Sequence, residues 1–207
     1  MEDVLDTYKL PYDPLYPVVC MDETCKQLVG EVIHELPARC GAKRKVDDEY
    51  VRNGVAEIFL SIEPLTGRCH TSVGEHRGMA EWADFIDNLL TVQYPEARKI
   101  RLVMDNLNTH RIASLYQRFP ADKARKLAER LEIHYTPKHG SWLDVAEIGL
   151  SMMCTQCLDK RRIPTLAKMS EAIGEWEKSH NQTPRKIIWQ FTKEEARIKL
   201  VSIYPKF

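Results

Sequence analysis

The sequence predicts an α/β domain, with a mixed five-stranded sheet flanked by helices. Strand-like patterns come first, the later half of the chain is largely helical, and helical segments stand between strands. This order is typical of a sheet covered by helices. With 207 residues, 43% of them hydrophobic, the chain can bury a core of its own. We therefore expect a short leader over residues 1–16 and one domain over residues 17–207.

The first strand is predicted at Pro17–Met21. This run is apolar throughout and is entered through a proline, which is typical of a strand buried on both faces. The apolar run stops at Asp22, and we expect the strand to end there.

Two β-rich segments then flank a turn. Gly54–Ile62 and Arg68–Val73 lie on either side of Pro64–Gly67, whose proline and glycine suit a tight turn. The three segments together predict a β-hairpin.

Helical periodicity begins after the hairpin. Over residues 79–94 the apolar side chains recur at intervals of three and four residues, which predicts an amphipathic helix ended by Pro95. The apolar positions are Trp82, Phe85, Ile86, Leu89 and Leu90.

A further strand is predicted over residues 100–104, where apolar residues alternate and lead into Asp105. Asn108 and Thr109 are good N-cap residues for a helix that runs to Arg118. The remaining predicted elements are a helix over 121–130, a strand over 132–136, a helix that begins near Trp142 and a mostly helical tail.

Two aspartates are the first candidates for chemistry. Asp22 and Asp105 each follow an apolar strand. If those strands are parallel neighbours, the carboxylates emerge side by side, roughly 5 Å apart. Two carboxylates that close repel each other unless a cation lies between them. Mg²⁺ or Mn²⁺ fits such a pair, because these ions take oxygen ligands.

Glu147 is the third candidate. It lies about 40° around the predicted helix from Leu143 and so borders the apolar face of that helix. Charge at such an edge is costly unless something pairs with it. The apolar stripe consists of Leu143, Ala146, Leu150, Cys154 and Cys157. From the residues alone, Glu23 and Asp144 remain rivals for the metal positions.

Composition excludes some classes of protein. Lys and Arg total 30, as do Asp and Glu, so no excess positive charge draws the chain onto a polyanion. No signal peptide and no apolar run long enough to cross a membrane are present, so we expect a cytoplasmic location without membrane contact. The six cysteines are expected to be reduced, and the Cys154–Cys157 pair does not suggest zinc, since no second pair accompanies it.

Longer strings resemble a known family. Residues 21–23 (MDE), 103–110 (VMDNLNTH) and 134–147 (HYTPKHGSWLDVAE) resemble bacterial insertion-sequence transposases related to mariner elements. The likeness runs from about Pro17 to Phe191. Further matching positions are Tyr50, Arg52-Asn53-Gly54, His76-Arg77, Trp176 and His180–Pro184.

The resemblance implies a ribonuclease H-like fold and an Asp-Asp-Glu triad made of Asp22, Asp105 and Glu147. It also implies two Mg²⁺ or Mn²⁺ ions, cleavage of DNA at transposon ends, strand transfer into target DNA and a homodimer. Two-metal chemistry displaces the leaving oxygen in line at phosphorus. We expect the substrate-binding residues to be Lys138, His139, Asn106 and His110, with Asn106 and His110 also able to orient Asp105.

Two departures from the family shape the alternatives. Only about twenty residues precede Asp22, so we expect any helix-turn-helix DNA-binding module to belong to a separate polypeptide. Asp144 stands where relatives often carry Asn, which adds negative charge beside the triad. The alternatives are an inactive transposase fragment that acts as a partner subunit, and a ribonuclease H-like nuclease with another purpose.

Overall fold

The computed structural model describes residues 1–32, 39–43, 48–138 and 140–201. The strands are β1 (Val18–Glu31), β2 (Tyr50–Ile62), β3 (Cys69–Gly74), β4 (Ile100–Met104) and β5 (Leu131–Tyr135). The helices are α1 (Glu2–Tyr8), α2 (Met79–Asn88), α3 (Ile112–Arg118), α4 (Ala121–Glu129), α5 (Ala146–Met153), α6 (Leu166–Gln182) and α7 (Lys193–Lys199). Leu89–Gln93 and Cys154–Leu158 are π-helical continuations of α2 and α5, and Ser141–Leu143 is a 3₁₀ turn.

The five strands form one mixed sheet, as predicted. Their order is β3-β2-β1-β4-β5, with antiparallel pairing between β3, β2 and β1 and parallel pairing between β1, β4 and β5. The parallel pairing of β1 with β4 is the condition under which Asp22 and Asp105 were expected to meet.

The prediction that the first strand ends at Asp22 is wrong. β1 continues to Glu31, because β2 pairs with it beyond Asp22 as far as the Tyr50–Glu31 position. The parallel partner β4 pairs only with Val18, Val19 and Cys20. Asp22 therefore lies inside β1 but beyond the region that is hydrogen-bonded on both sides.

Helices cover both faces of the sheet. One hydrophobic cluster joins the sheet to α1, α5, α6 and α7, with Cys20, Leu60 and Val103 among its buried residues. The other joins the sheet to α2, α3 and α4, and Met21 and Met104 belong to it. Alternate residues of one strand thus enter opposite halves of the core.

The first sixteen residues, expected to be a leader, contain α1. Its Val4 and Leu5 are 0% and 1% exposed and belong to the same cluster as α5 and α6. This segment is therefore part of the packed core.

The predicted N-caps of α3 are wrong. α3 begins at Ile112 and its N-cap is Arg111, while Asn108 and Thr109 lie in the preceding loop. The side chain of Asn108 accepts a hydrogen bond from Arg111 Nη2 at 2.8 Å instead. The loop takes this path because His110 is buried, which turns the chain inward before the helix starts.

Among the described helices, none is long and apolar enough to cross a membrane. The six cysteines, all in the described part of the chain, are free, as predicted.

Candidate active site

Strand register brings Asp22 and Asp105 to the same edge of the sheet. Cys20 of β1 pairs with Val103 of β4, and each aspartate stands two residues farther along its strand direction. Asp105 directly follows the last residue of β4. Cys20 and Val103 both face the core half that contains α5, so strand alternation directs Asp22, two residues past Cys20 in β1, to that same side. Glu23, one residue on, faces the opposite side.

The third carboxylate arrives on α5. Glu147 is exposed and lies in the first turn of that helix. α5 packs tightly on the sheet at Gly149, where an added Cβ would lie 2.7 Å from Leu60 Cδ2. Because Leu60 pairs with Asp22 across β2 and β1, this close approach carries the start of α5 toward the two aspartates.

Asp22 is partly buried among other acidic side chains. Burial raises the pKa of Asp22 to about 6, and repulsion from Glu23, Asp105 and Glu147 adds to the shift. Like charges raise a carboxyl pKa only when they are near and poorly screened. Asp22 therefore lies in an acidic neighbourhood to which Glu23, Asp105 and Glu147 all contribute.

A fourth carboxylate, Asp144, is buried beside them. Its side chain is 3% exposed, and its Oδ1 accepts a hydrogen bond from the Ala146 N–H at 2.9 Å. Its Oδ2 is buried with no hydrogen-bond partner among the described residues. Burial, followed by repulsion from Asp22, Glu147 and Asp105, holds the pKa of Asp144 well above its usual range.

His110 links Asp105 to Glu23. Its Nδ1 lies 2.5 Å from Asp105 Oδ1, and its Nε2 lies 3.2 Å from Glu23 Oε2. Burial alone would lower the pKa of His110, but the hydrogen bond to Asp105 and the nearby Glu23 carboxylate raise it to about 9. The imidazolium therefore neutralises part of the charge and orients Asp105. Its ring stacks on Trp82 with centroids 6.1 Å apart.

The contacts of His110 bear on the roles expected of His110 and Glu23. Only 1% of His110 is exposed. The ring is therefore positioned to orient Asp105, which is one of the two roles expected of it. Its burial does not suit the other expected role, contact with a substrate. Glu23, whose side chain is 4% exposed, contacts His110 on the face away from Glu147. Its charge also raises the pKa of Asp22, so Glu23 belongs to the same acidic cluster.

The other expected substrate-binding residues lie around the rim of the site. Lys138 and Asn106 are both exposed, Lys138 in the loop after β5 and Asn106 directly after Asp105. His139 lies outside the described residues. The structure therefore leaves Lys138 and Asn106 accessible to a substrate.

The donor set fits a hard divalent cation. Carboxylate oxygens are the ligands that Mg²⁺ and Mn²⁺ favour. The mutual repulsion of the four carboxylates and the orphaned Asp144 Oδ2 are what a cation would relieve. Across the described ranges, however, no three His, Cys, Asp or Glu side chains form a group that could hold a metal ion as placed. The ligand type therefore fits Mg²⁺ or Mn²⁺, but the side chains as placed do not enclose a metal position.

Tyr8 was missed in the sequence. Its hydroxyl contacts the backbone of Leu143 and Val145, on either side of Asp144. The spacing of Val4, Leu5 and Tyr8 on one face of a short helix was the available signal that residues 1–16 pack on the domain.

The mixed five-stranded sheet covered by helices on both faces, with Asp22 and Asp105 at the edge of the parallel β1–β4 pair, defines the class of the protein as an α/β domain. A comparison with family models gives the particular family: residues 17–170 match the DDE superfamily endonuclease model. The chain belongs to this family. A search of curated proteins finds no match.

Solved structures share the fold. The crystal structure of the Mos1 strand transfer complex matches with a TM-score of 0.57 and 15% identity, over 85% of this chain and 51% of that chain. The Mos1 mariner paired end complex with Mn matches with a TM-score of 0.56 and 14% identity, over 85% and 52% of the two chains. A pre-cleavage Mos1 transpososome gives a TM-score of 0.55 and 15% identity, over 85% and 52%. The ribonuclease H-like fold is thereby confirmed, and the chain spans about half the length of these relatives.

Proposed function

We propose that this chain is the catalytic domain of a DNA transposase, which cuts the ends of a mobile element and joins them to target DNA. Asp22, Asp105 and Glu147 are its metal ligands. The observation that carries the proposal is the parallel register of β1 and β4, which brings Asp22 and Asp105 to one edge, together with the packing of α5 against Leu60, the β2 partner of Asp22. Membership of the DDE endonuclease family and the fold of the Mos1 complexes support it.

Each residue has a separate task in this proposal. Asp22 supplies an oxygen from inside the sheet, where burial raises its pKa to about 6. Asp105 is held by His110, which fixes the direction of its carboxylate. Glu147 is exposed at the mouth of the site, so its side chain can turn toward the aspartates when a cation and DNA are present.

Two divalent ions, Mg²⁺ or Mn²⁺, would activate the attacking oxygen and stabilise the leaving oxygen of the phosphodiester. One of the matching Mos1 structures is a paired end complex with Mn, which supports this choice of metal. The carboxylates bind the metal ions and do not act as nucleophiles. His110 orients Asp105 and offsets part of the negative charge. Asp144 adds charge next to the triad and is available as a further oxygen donor through Oδ2.

DNA is the proposed partner, and the exposed Lys138 and Asn106 are proposed to contact its phosphates. The 17–207 domain boundary, the cytoplasmic location, the homodimer and a separate helix-turn-helix polypeptide stay predictions. The inactive-fragment alternative is disfavoured, because the chain carries all three carboxylates of the proposed triad.

The test is nicking of supercoiled plasmid DNA in the presence of Mn²⁺. We expect Asp105→Asn to reduce the nicking rate at least about a thousandfold, since removing a ligand costs several kcal/mol of metal-dependent stabilisation. Asp122→Asn, an exposed acidic residue of α4, is the matched control and should cut like the parent.

Urea unfolding of both variants shows whether the fold is retained. An Asp105→Asn variant that is folded and cuts as fast as the parent would contradict the triad. Equal loss in both variants would show that the effect is not specific to the site.

A further inference from the structure

The turn that precedes the helix carrying Glu147 is held by the two terminal segments of the described chain. This turn consists of Leu143, Asp144 and Val145, and we call it the 143–145 turn. α1 approaches it from the N-terminal side, and residues 187–191 approach it from the C-terminal side. Both segments lie outside residues 17–170, the part that matches the endonuclease family.

Tyr8, the last residue of α1, makes the direct contact. Its hydroxyl donates a hydrogen bond to the Leu143 carbonyl at 2.7 Å and accepts one from the Val145 N–H at 3.3 Å. The Cys20 thiol of β1 lies 3.5 Å from the same oxygen. One hydroxyl thus connects α1, the 143–145 turn and the strand that carries Asp22, using both its donor and its acceptor capacity.

Aromatic packing holds Tyr8 and the turn from the other side. The Tyr8 ring lies against Trp189, with centroids 5.4 Å apart. Phe191 packs edge-on against Trp142, which directly precedes the turn, at 5.5 Å. These rings limit the positions that the Tyr8 hydroxyl can take.

Three ion pairs connect α1 to α7 on the outside of the molecule. They are Lys9–Glu194 at 3.2 Å, Lys193–Asp6 at 2.7 Å and Arg197–Glu2 at 2.6 Å. Exposed pairs of this kind contribute little individually. Together they keep both segments in register, so that α1 presents Tyr8 to the turn.

The position of Glu147 depends on this turn. The Glu147 N–H donates to the Asp144 carbonyl at 3.2 Å, and the Ile148 N–H donates to the Val145 carbonyl at 3.0 Å. A rotation of the peptide groups at 143–145 therefore moves the first turn of α5, and with it the Glu147 carboxylate, relative to Asp22. The Tyr8 hydroxyl restrains the peptide groups on both sides of Asp144.

We propose that Tyr8 is a positioning residue for the metal site: its hydroxyl fixes the 143–145 turn and so places Glu147 and Asp144 beside the two aspartates. This inference rests on the proposed metal-binding function of those carboxylates. It assigns a role in the site to the terminal helices, which the family match does not cover.

The experiment compares Tyr8→Phe with Leu5→Val in the full chain. Tyr8→Phe removes only the hydroxyl, whereas Leu5→Val loosens α1 in the core and leaves the hydroxyl in place. The first measurement is hydrogen exchange of the backbone amides of residues 143–149. The second is the Mn²⁺ dissociation constant, obtained by titration calorimetry without DNA.

We expect Tyr8→Phe to speed exchange at Val145 and to weaken Mn²⁺ binding about tenfold, a loss typical of removing an outer-shell partner of a ligand. Leu5→Val should change Mn²⁺ binding less than about twofold, because the contact to the turn is retained.

Three results would decide against parts of this account. Unchanged exchange or unchanged Mn²⁺ affinity in Tyr8→Phe, while the parent chain binds Mn²⁺, overturns the role of Tyr8 and leaves the proposed function standing. Equal weakening in both variants also overturns it, since the hydroxyl would have no special part. A parent chain that binds no Mn²⁺ contradicts the proposed function itself, and the positioning role falls with it.

Discussion

At the scale of single residues, strand alternation distinguishes the two adjacent carboxylates of β1. Asp22 shares a face with Cys20 and meets the side of the sheet on which α5 packs, whereas Glu23 turns to His110 on the other side. The sequence prediction ended the strand at Asp22. It could not say which faces Asp22 and Glu23 occupy, because a residue beyond a strand end has no fixed face. The family resemblance favours Asp22 over Glu23 on other grounds, namely the matching sequence motif.

Gly67 illustrates a backbone position that only glycine can occupy. It ends the β2–β3 turn with φ at +77°, and an added Cβ would lie 2.2 Å from the Arg185 carbonyl oxygen. We expect Gly67→Ala to lower the free energy of unfolding by at least about 2 kcal/mol, from left-handed backbone strain and overpacking together. Urea unfolding measures the loss.

Gly174 provides the matched control. It lies within α6, and an added Cβ there meets nothing within 4 Å. Gly174→Ala should raise stability by up to about 1 kcal/mol, because alanine favours the helix. If both variants were equally stable, the close approach of residue 185 to the turn would be wrong.

At the scale of elements, Glu177 fastens α6 to the edge strand β3. Its Oε2 accepts hydrogen bonds from the Thr71 N–H at 2.7 Å and the Thr71 hydroxyl at 2.5 Å, and Oε1 lies 3.4 Å from His70 Nδ1. Burial alone would raise the pKa of Glu177, but the hydrogen bonds from His70 and Thr71 outweigh it and lower the pKa below 4.5.

This lowered pKa gives a pH-dependent prediction. A carboxyl group with a depressed pKa in the folded state stabilises the protein above its unfolded pKa, and that contribution is lost as pH falls through the folded pKa. We expect Glu177→Gln to lose about 1–2 kcal/mol of stability at pH 7. The gap to the parent should shrink as pH falls below 4.5, the ordinary value.

Glu175→Gln, on an exposed position of the same helix, is the control for this series, and it should stay within about 0.5 kcal/mol of the parent. Chemical unfolding over a pH series provides the measurement. A gap that is constant with pH, or that widens on acidification, would refute the assigned contacts.

The elements that the sequence predicted well are those with a complete local signal. The β4 prediction over 100–104 and the β2–β3 hairpin are confirmed, because apolar alternation and turn residues define them locally. β1 was predicted too short because its second half is polar and is stabilised by pairing with β2, a distant segment. The start of α3 was misplaced because burial of His110 overrides the capping preference of Asn108 and Thr109.

At the scale of the whole molecule, the parallel pairing of β1 and β4 meets the condition under which Asp22 and Asp105 were expected to lie together, but nothing in the sequence predicted what holds the start of α5. The register of β1 against β4 and the placement of α5 agree with the three proposed ligands. The contact between Tyr8 and the 143–145 turn joins residues 135 positions apart. No local pattern in the sequence contains such a pairing, so the part played by α1 emerges only from the fold.

The central claim is that folding gathers Asp22, Asp105 and Glu147 into one site for divalent cations. The most direct measurement is anomalous diffraction from crystals of the chain soaked in Mn²⁺. We expect a strong anomalous peak from an Mn²⁺ ion bound by oxygens of Asp22 and Asp105. Glu147 should be turned toward this ion, and Glu23 should still contact His110. A peak elsewhere on the surface, or one bound by Glu23 and not by Asp22, would contradict it.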